Sequence, residues 1–295
     1  MSTQPSRDRA AWSPARQLVA WRALSVFADI PVASLLEVGA AATLAHYEPG
    51  ALLGRGHRER RATVELILEG YVRSGTRVWG PNEIAGGLPA WGTKRLGELT
   101  ALERVVTMAV ATDEFVGIVA SDPRLLDAAL GAVAQAAVET SPASPRPTVA
   151  HLVSASEMAL AKLTCLARDP LLGVLPLDGL ARLADDMEEI PLPASPAAQR
   201  EDRIVAHLQL REVPSTAADT MTTSEPRASG RLYGALEVLA RRRVDLSAAP
   251  DGSRCRAFAL TRAALLDALA FAPEAGASLI QKMADAIVTP SIAVD

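Results

Sequence analysis

The sequence predicts a mainly β fold with flanking helices, an α+β arrangement present twice along the chain. Three observations predict it. After residue 42, short β-prone pieces alternate with glycine and proline turns, at a spacing that suits a sandwich or jelly roll. The stretch Ser141-Pro-Ala-Ser-Pro-Arg-Pro147 places three prolines in seven residues, which continue neither a helix nor a central strand and mark a domain boundary. The landmarks of the first half then recur in the second half in the same order.

Residues 1–12 are polar and read as a frayed end. Ser13-Pro14 is a helix start with proline at the first helical position, and Leu18, Val19 and Trp21 carry the pattern to Ala23. Leu24 to Phe27 leads to Ile30-Pro31, and a short helix covers Ala33 to Ala42. Strands are expected over Val64–Leu68, Tyr71–Arg73 and Val105–Val110. Turns are expected at Glu48-Pro-Gly50, Glu69-Gly70, Ser74-Gly75 and Gly80-Pro-Asn82. Asp113 to Val138 is helical with a break at Asp122-Pro123, and Thr148 to Arg168 reads as one more helix.

The repeat organises the chain. Phe27-Ala-Asp-Ile-Pro31 and its following helix resemble Leu172-Gly-Val-Leu-Pro176 and the helix Leu177 to Met187, with the prolines 145 residues apart. Gly80 to Leu88 resembles Ser229 to Leu236, and Gly86 and Gly234 are 148 apart. Phe115 to Leu130 resembles Leu265 to Ile280, with Pro123 and Pro273 150 apart. Small drifts of this kind are what duplication with loop changes leaves. The expected organisation is a tail and helix over residues 1–23, a first domain over 24–140, a connector over 141–168 and a second domain over 169–290.

Composition narrows the function classes. The 295 residues are 49% apolar with a mean hydropathy of +0.16, enough to bury a sizeable core, and 4% aromatic, so Leu, Val, Ile and Ala must build most of it. A net charge of −4 and a pI near 5.7 argue against a protein that coats nucleic acid. Two cysteines, Cys165 and Cys255, make no disulfide framework and fit a reducing cytoplasm. Ala10 to Val26 is interrupted by Arg16, Gln17 and Arg22, and Leu125 to Val138 is short and Ala-rich, so neither a signal peptide nor a membrane span is expected.

Several stretches carry a family resemblance. They are Leu66-Ile-Leu-Glu-Gly70-Tyr-Val72, Gly80-Pro-Asn-Glu-Ile-Ala-Gly86 and Leu99-Thr-Ala-Leu-Glu103 running to Phe115, then Gly230-Arg-Leu-Tyr-Gly234-Ala-Leu-Glu-Val-Leu239 and Ala257 to Leu266. Together they resemble the cyclic nucleotide-binding domain family of Crp-type bacterial regulators and cAMP-dependent kinase regulatory subunits. The resemblance implies two tandem antiparallel β-rolls of jelly-roll type, covering about residues 24–138 and 169–288. It also implies a phosphate cassette in each copy, where backbone amides at a short helix hold the cyclic phosphate. An arginine pairs with the phosphate, and a glutamate after the cassette glycine accepts from the ribose hydroxyl.

Both copies depart from that pattern. In the first, Gly86 is the glycine, Gly87 stands where the glutamate belongs, and Arg95 falls near the arginine position beside Lys94. In the second, Gly234 is the glycine, Ala235 replaces the glutamate, Glu237 lies two positions further on, and Arg243 is the arginine match. Loss of the ribose acceptor costs about 1.5–3 kcal/mol, one to two decades in affinity. A second register, through Leu96-Gly97-Glu98-Leu99 with Arg104, shortens the cassette and spoils the match of the following strand. No cofactor is therefore expected, although a cyclic nucleotide is the ligand class the resemblance implies.

Other signals are weak. His46, His57, His151 and His207 are isolated, Gly54-Arg-Gly56 lacks a third glycine, and no hydrolase, zincin or Walker motif is present. Asp185-Asp186 with Glu188-Glu189 reads as a solvated charge run. The expected function is a non-enzymatic, cytoplasmic regulatory or scaffold protein that binds another protein or itself, with neither membrane nor nucleic acid as partner. The helices over Leu125–Val138 and Leu279–Ile287 are the candidate interaction faces. The alternative is a Crp/Fnr-type transcriptional regulator with one sensor domain. Its winged helix would use Thr216–Met221, a recognition helix over Ala228–Arg243 and a wing over Val244–Leu260, with Arg241-Arg242-Arg243 on DNA.

Overall fold

A computed structural model describes residues 13–53, 62–93, 97–140, 150–154, 158–190, 203–211, 227–242 and 255–287. The first residues 1–12, the proline-rich stretch 141–147, Gly54-Arg-Gly56, His57, Leu96, Thr216–Met221 and most of the expected wing lie outside them. The chain divides into two compact units, one of Met1–Ala137 with Ile280–Asp295 and one of Val138–Leu279. Both mix helices with antiparallel strands, so the fold is α+β.

Unit 1 opens with helix α1 (Pro14–Ala23), whose Ser13 side chain accepts a hydrogen bond from the Arg16 N–H and satisfies one of its free amides. Two short 3-10 turns, Ser25–Phe27 and Val32–Leu35, lead into α2 (Leu36–Ala41), so the expected helix over Ala33–Ala42 is split between two helix types. The strands are β1 (Thr43–Tyr47), β2 (Thr63–Glu69), β3 (Val72–Ser74), β4 (Arg77–Trp79), β5 (Thr100–Ala101) and β6 (Val105–Ala111). Among the described residues they form two three-stranded antiparallel sheets, ordered β1-β6-β2 and β4-β3-β5.

Val64 to Leu68 of β2 are all buried, as are Val105 to Val110 of β6, which matches runs that are apolar on both faces apart from Glu65 and Thr107. Thr112–Ser121 (α3) and Pro123–Thr140 (α4) follow, broken at Asp122 as expected. In α4 the stripe Leu125, Leu126, Ala129, Leu130, Val133, Ala134 and Ala137 is buried. That is a core-facing pattern at helical spacing.

Four aromatic residues of this unit pack together, apart from Tyr47 and Trp79, which belong to a second core cluster. Trp21, Phe27, Trp91 and Phe115 form one cluster, with ring centroids 5.3 Å apart for Trp91–Phe115 and 5.7 Å for Trp21–Phe115. All four are fully buried. A few large rings thus close the space beneath α1 and α3 that small aliphatic side chains leave open.

Unit 2 contains β7 (Ala150–Ser154), α5 (Met158–Arg168), α6 (Leu177–Asp186), β8 (Glu188–Ile190), β9 (Arg203–Arg211), β10 (Arg227–Tyr233), α7 (Ala235–Leu239), β11 (Cys255–Thr261), α8 (Arg262–Ala270) and the first half of α9 (Pro273–Ile287), whose remainder from Ile280 belongs to unit 1. Its described strands make a single five-stranded antiparallel sheet, ordered β7-β10-β9-β11-β8.

Two expectations are corrected here. The helix expected over Thr148–Arg168 contains strand β7, because Ala150–Ser154 pairs with β10 and only Met158–Arg168 is helical. The recognition helix of the alternative reading, Ala228–Arg243, begins as strand β10. Seven residues of β10 pair with β9, and only Ala235–Leu239 are helical. Gly230 and Ser229 are poor helix formers, and the ladder supplies the hydrogen bonds that a helix would have made. Asp185 and Asp186 end α6 and Glu188 and Glu189 open β8, all four exposed, as the solvated charge run predicts.

Candidate functional site

In unit 1 the segment that follows β4 is strapped along β2. The Asn82 N–H donates to the Ile67 carbonyl at 2.8 Å, the Ile67 N–H to the Glu83 carbonyl at 2.9 Å, and the Ala85 N–H to the Glu65 carbonyl at 2.8 Å. β2 is the last strand of its sheet, and this segment satisfies the backbone groups that it would otherwise leave bare. Gly80 closes the preceding turn, its N–H donating to the Glu83 carboxylate at 2.6 Å.

The strap delivers two consecutive glycines with left-handed backbones, Gly86 at φ 86° and Gly87 at φ 67°. Side-chain-bearing residues seldom adopt either. Gly87 caps the short 3-10 helix Leu88–Trp91. Its N–H donates to the Ile84 carbonyl at 2.8 Å, so this amide is already engaged. Where the resemblance would place a glutamate there is no side chain. The indole nitrogen of Trp79 lies 3.7 Å from where a Cβ of Gly87 would stand, and it has no hydrogen-bond partner among the described residues. Trp91 fastens the helix to the aromatic cluster. Arg95 and Lys94 lie outside the described residues. In the second register, Gly97 and Glu98 belong to no element, while the Leu99 carbonyl accepts from the Leu53 N–H at 2.9 Å.

Unit 2 repeats the turn. Gly234 is left-handed at φ 86° and ψ 9°, caps α7, and its carbonyl accepts from the Val238 N–H at 2.9 Å. Ala235, in the glutamate position, is the buried first residue of α7. Glu237 points its Oε2 into a buried place with no hydrogen-bond partner among the described residues. Beyond α7, Arg242 pairs with Glu139 at 3.1 Å, while Arg243 lies outside the described residues. The structure therefore brings together Gly86 with Gly87, and Gly234 with Ala235, each pair in one turn.

The remaining sequence signals are placed as follows. His46 is exposed on β1, and His151 and His207 fall on β7 and β9. Among the described residues no group of three or more His, Cys, Asp or Glu side chains could hold a metal ion. No single described helix is long and apolar enough to cross a membrane. Cys165 is buried on α5, and that burial, with the Asp169 charge adding to it, pushes its thiol pKa up to about 12. Cys255 lies on β11.

One polar centre escapes the sequence reading. Glu65 is 3% exposed on β2; its Oε1 accepts from the Tyr47 hydroxyl at 2.9 Å and the Thr63 hydroxyl at 3.1 Å, and its Oε2 from the Thr107 hydroxyl at 2.9 Å. The signal was a lone acid inside Val64-Glu-Leu-Ile-Leu68, a strand otherwise apolar on both faces.

No protein-family model matches the chain, and no curated protein matches it. Among solved structures it is similar to the N-terminal domain of a transcriptional regulator from Streptomyces coelicolor A3(2). The identity is 23%, the match covers 42% of this chain and 94% of that one, and the TM-score is 0.35.

Proposed function

We propose that the chain is a non-enzymatic regulatory or scaffold protein built from two degenerate cyclic nucleotide-binding-like β-rolls. It acts through contacts with another protein or with a second copy of itself, and binds cyclic nucleotides weakly or not at all. One observation carries this reading. In each unit a left-handed glycine leads into a short helix, and the next position holds Gly87 or Ala235, neither of which can accept a hydrogen bond through its side chain. A cassette without that acceptor forfeits about one to two decades of affinity for a ribose-bearing ligand. The Gly87 amide is also spent on Ile84.

Isothermal titration of the full chain with cAMP and with cGMP tests the reading: no heat, or millimolar binding, is expected. Micromolar affinity overturns it. The transcription-factor alternative makes a separate demand, a salt-sensitive and sequence-selective electrophoretic shift of DNA that is lost when Arg241, Arg242 and Arg243 are changed to Ala. We expect no such shift.

A further inference from the structure

The 3-10 helix Leu88–Trp91 ends at Gly92, whose N–H donates to the Pro89 carbonyl at 3.1 Å, and Thr93 follows. Asp285, in the last turn of α9 and within the same unit, sits on this corner. Its Oδ1 accepts from the Thr93 N–H at 2.8 Å and its Oδ2 from the Thr93 hydroxyl at 2.6 Å. Gly92 makes the approach possible: a Cβ there would collide with the Asp285 carboxylate and stand 3.1 Å from its backbone nitrogen. A side chain at position 92 would therefore push the helix away.

Unit 2 places an acid in the corresponding position by different chemistry. Glu139, next to the last residue of α4, meets Arg242, three residues beyond the end of α7. In both units, then, an acidic side chain near the end of a long helix lands just after the short helix that a left-handed glycine introduces. Arg242 and Glu139 are 40% and 57% exposed, whereas Asp285 is half-buried and grips two donors of one residue, so the unit 1 contact is the stronger candidate for a defined switch.

We propose that the last two turns of α9, Ile280 to Ile287, are a latch on unit 1 whose catch is the Asp285 carboxylate on Thr93. The latch opens as a local event, without unfolding the β2–β6 sheet. Opening frees the Thr93 N–H and hydroxyl and bares the buried stripe Ile280, Met283 and Ala284. Because the catch adjoins the helix Leu88–Trp91, whatever displaces that helix strains the catch, and release of the catch loosens the end of that helix. The device thus gives unit 1 two states, and it does so whether or not the glycine turn binds any ligand.

Hydrogen exchange of the full chain, read by mass spectrometry, tests the latch. In Asp285→Ala the amides of 280–287 should exchange at least about tenfold faster, the change expected from losing hydrogen bonds to a charged acceptor. The amides of β2 and β6 should keep their wild-type rates. Alanine is the better helix former, so faster exchange is not explained by weakened helix propensity. Thr93→Val, which keeps the amide donor and removes only the hydroxyl, should give a smaller acceleration confined to the same residues. Unchanged exchange in 280–287 in both variants overturns the proposal. So does acceleration that spreads equally to β2 and β6, because the helix end would then be released only by unfolding of the unit.

Discussion

Glu65 shows what one buried acid demands of its surroundings. Three hydroxyls, from Tyr47, Thr63 and Thr107, point at a carboxylate that is almost wholly removed from water. Deleting the acceptor strands those donors in an apolar layer, and each buried donor left unpaired costs about 1–3 kcal/mol. Glu65→Ala should therefore lower the unfolding free energy by more than about 2 kcal/mol in a urea titration, while Thr107→Val should cost less. Cys165 makes the opposite case, an ionisable group kept neutral. Its folded pKa of about 12 lies above the unfolded value of 9.0, so the folded state holds the proton more tightly. Stability from this group is complete below pH 9 and falls as pH rises toward 12, at about 1.4 kcal/mol per pH unit. Comparing wild type with Cys165→Ala between pH 8 and 10.5 should show the wild type losing stability faster; parallel curves would refute the shift.

At the scale of elements, the break between α3 and α4 has a definite cause. The Asp122 Oδ1 accepts from the Arg124 N–H at 2.8 Å and the Leu125 N–H at 3.3 Å, capping the helix that Pro123 begins. Burial works against the charged carboxylate. Hydrogen bonds from Ser34, Arg124 and Leu125, with the Arg124 charge, outweigh it and hold the pKa below the usual carboxylate value. The stabilisation is thus present above the unfolded pKa of 3.8 and disappears as pH falls through the lower folded value. Asp122→Ala should cost about 1 kcal/mol at pH 7, and its deficit relative to wild type should shrink toward pH 3.

Such punctuation is what made much of the fold legible in the sequence: Ser13-Pro14, Asp122-Pro123 and the apolar runs of β2 and β6 each carry a local physical signal. Strands β7 and β10 carried little. Ala150-His-Leu-Val-Ser154 sits in a stretch with no helix breaker, and Arg-Ala-Ser-Gly-Arg-Leu-Tyr233 has a weak β pattern, so their partners in the sheet decide their state. The glycine turns at Gly86 and Gly234 were readable for the reason that β10 was not, since a left-handed residue advertises itself as glycine. The Asp285 contact with Thr93 joins residues far apart in the chain, and the Trp79 indole comes beside Gly87 only through the strap between them, so no local pattern announces either.

For the whole molecule, the division into two units means that stability is spread over two sets of buried residues. Glu65, Trp21 and Trp91 belong to unit 1, and Cys165, Leu166 and Leu183 to unit 2. Substitutions in different units should therefore be close to additive, as for sites without shared partners. Glu65→Ala should move the unfolding transition of unit 1 and leave a circular-dichroism signal from unit 2 that melts later. A single shared transition in that variant would show that the units unfold together.

The placement of the aromatic residues supplies the means to see this. All four tryptophans of the chain, Trp12, Trp21, Trp79 and Trp91, fall in unit 1, and none falls between Val138 and Leu279. The molecule is thus optically labelled by its own composition. Excitation at the red edge of the indole band reports one unit alone, against a silent background from the other. The stacked pair Trp91–Phe115 places one of those chromophores at the end of the candidate helix. A partner or ligand that engages the glycine turn would then announce itself as a change in emission, and one that engages the five-stranded sheet would leave the emission unchanged.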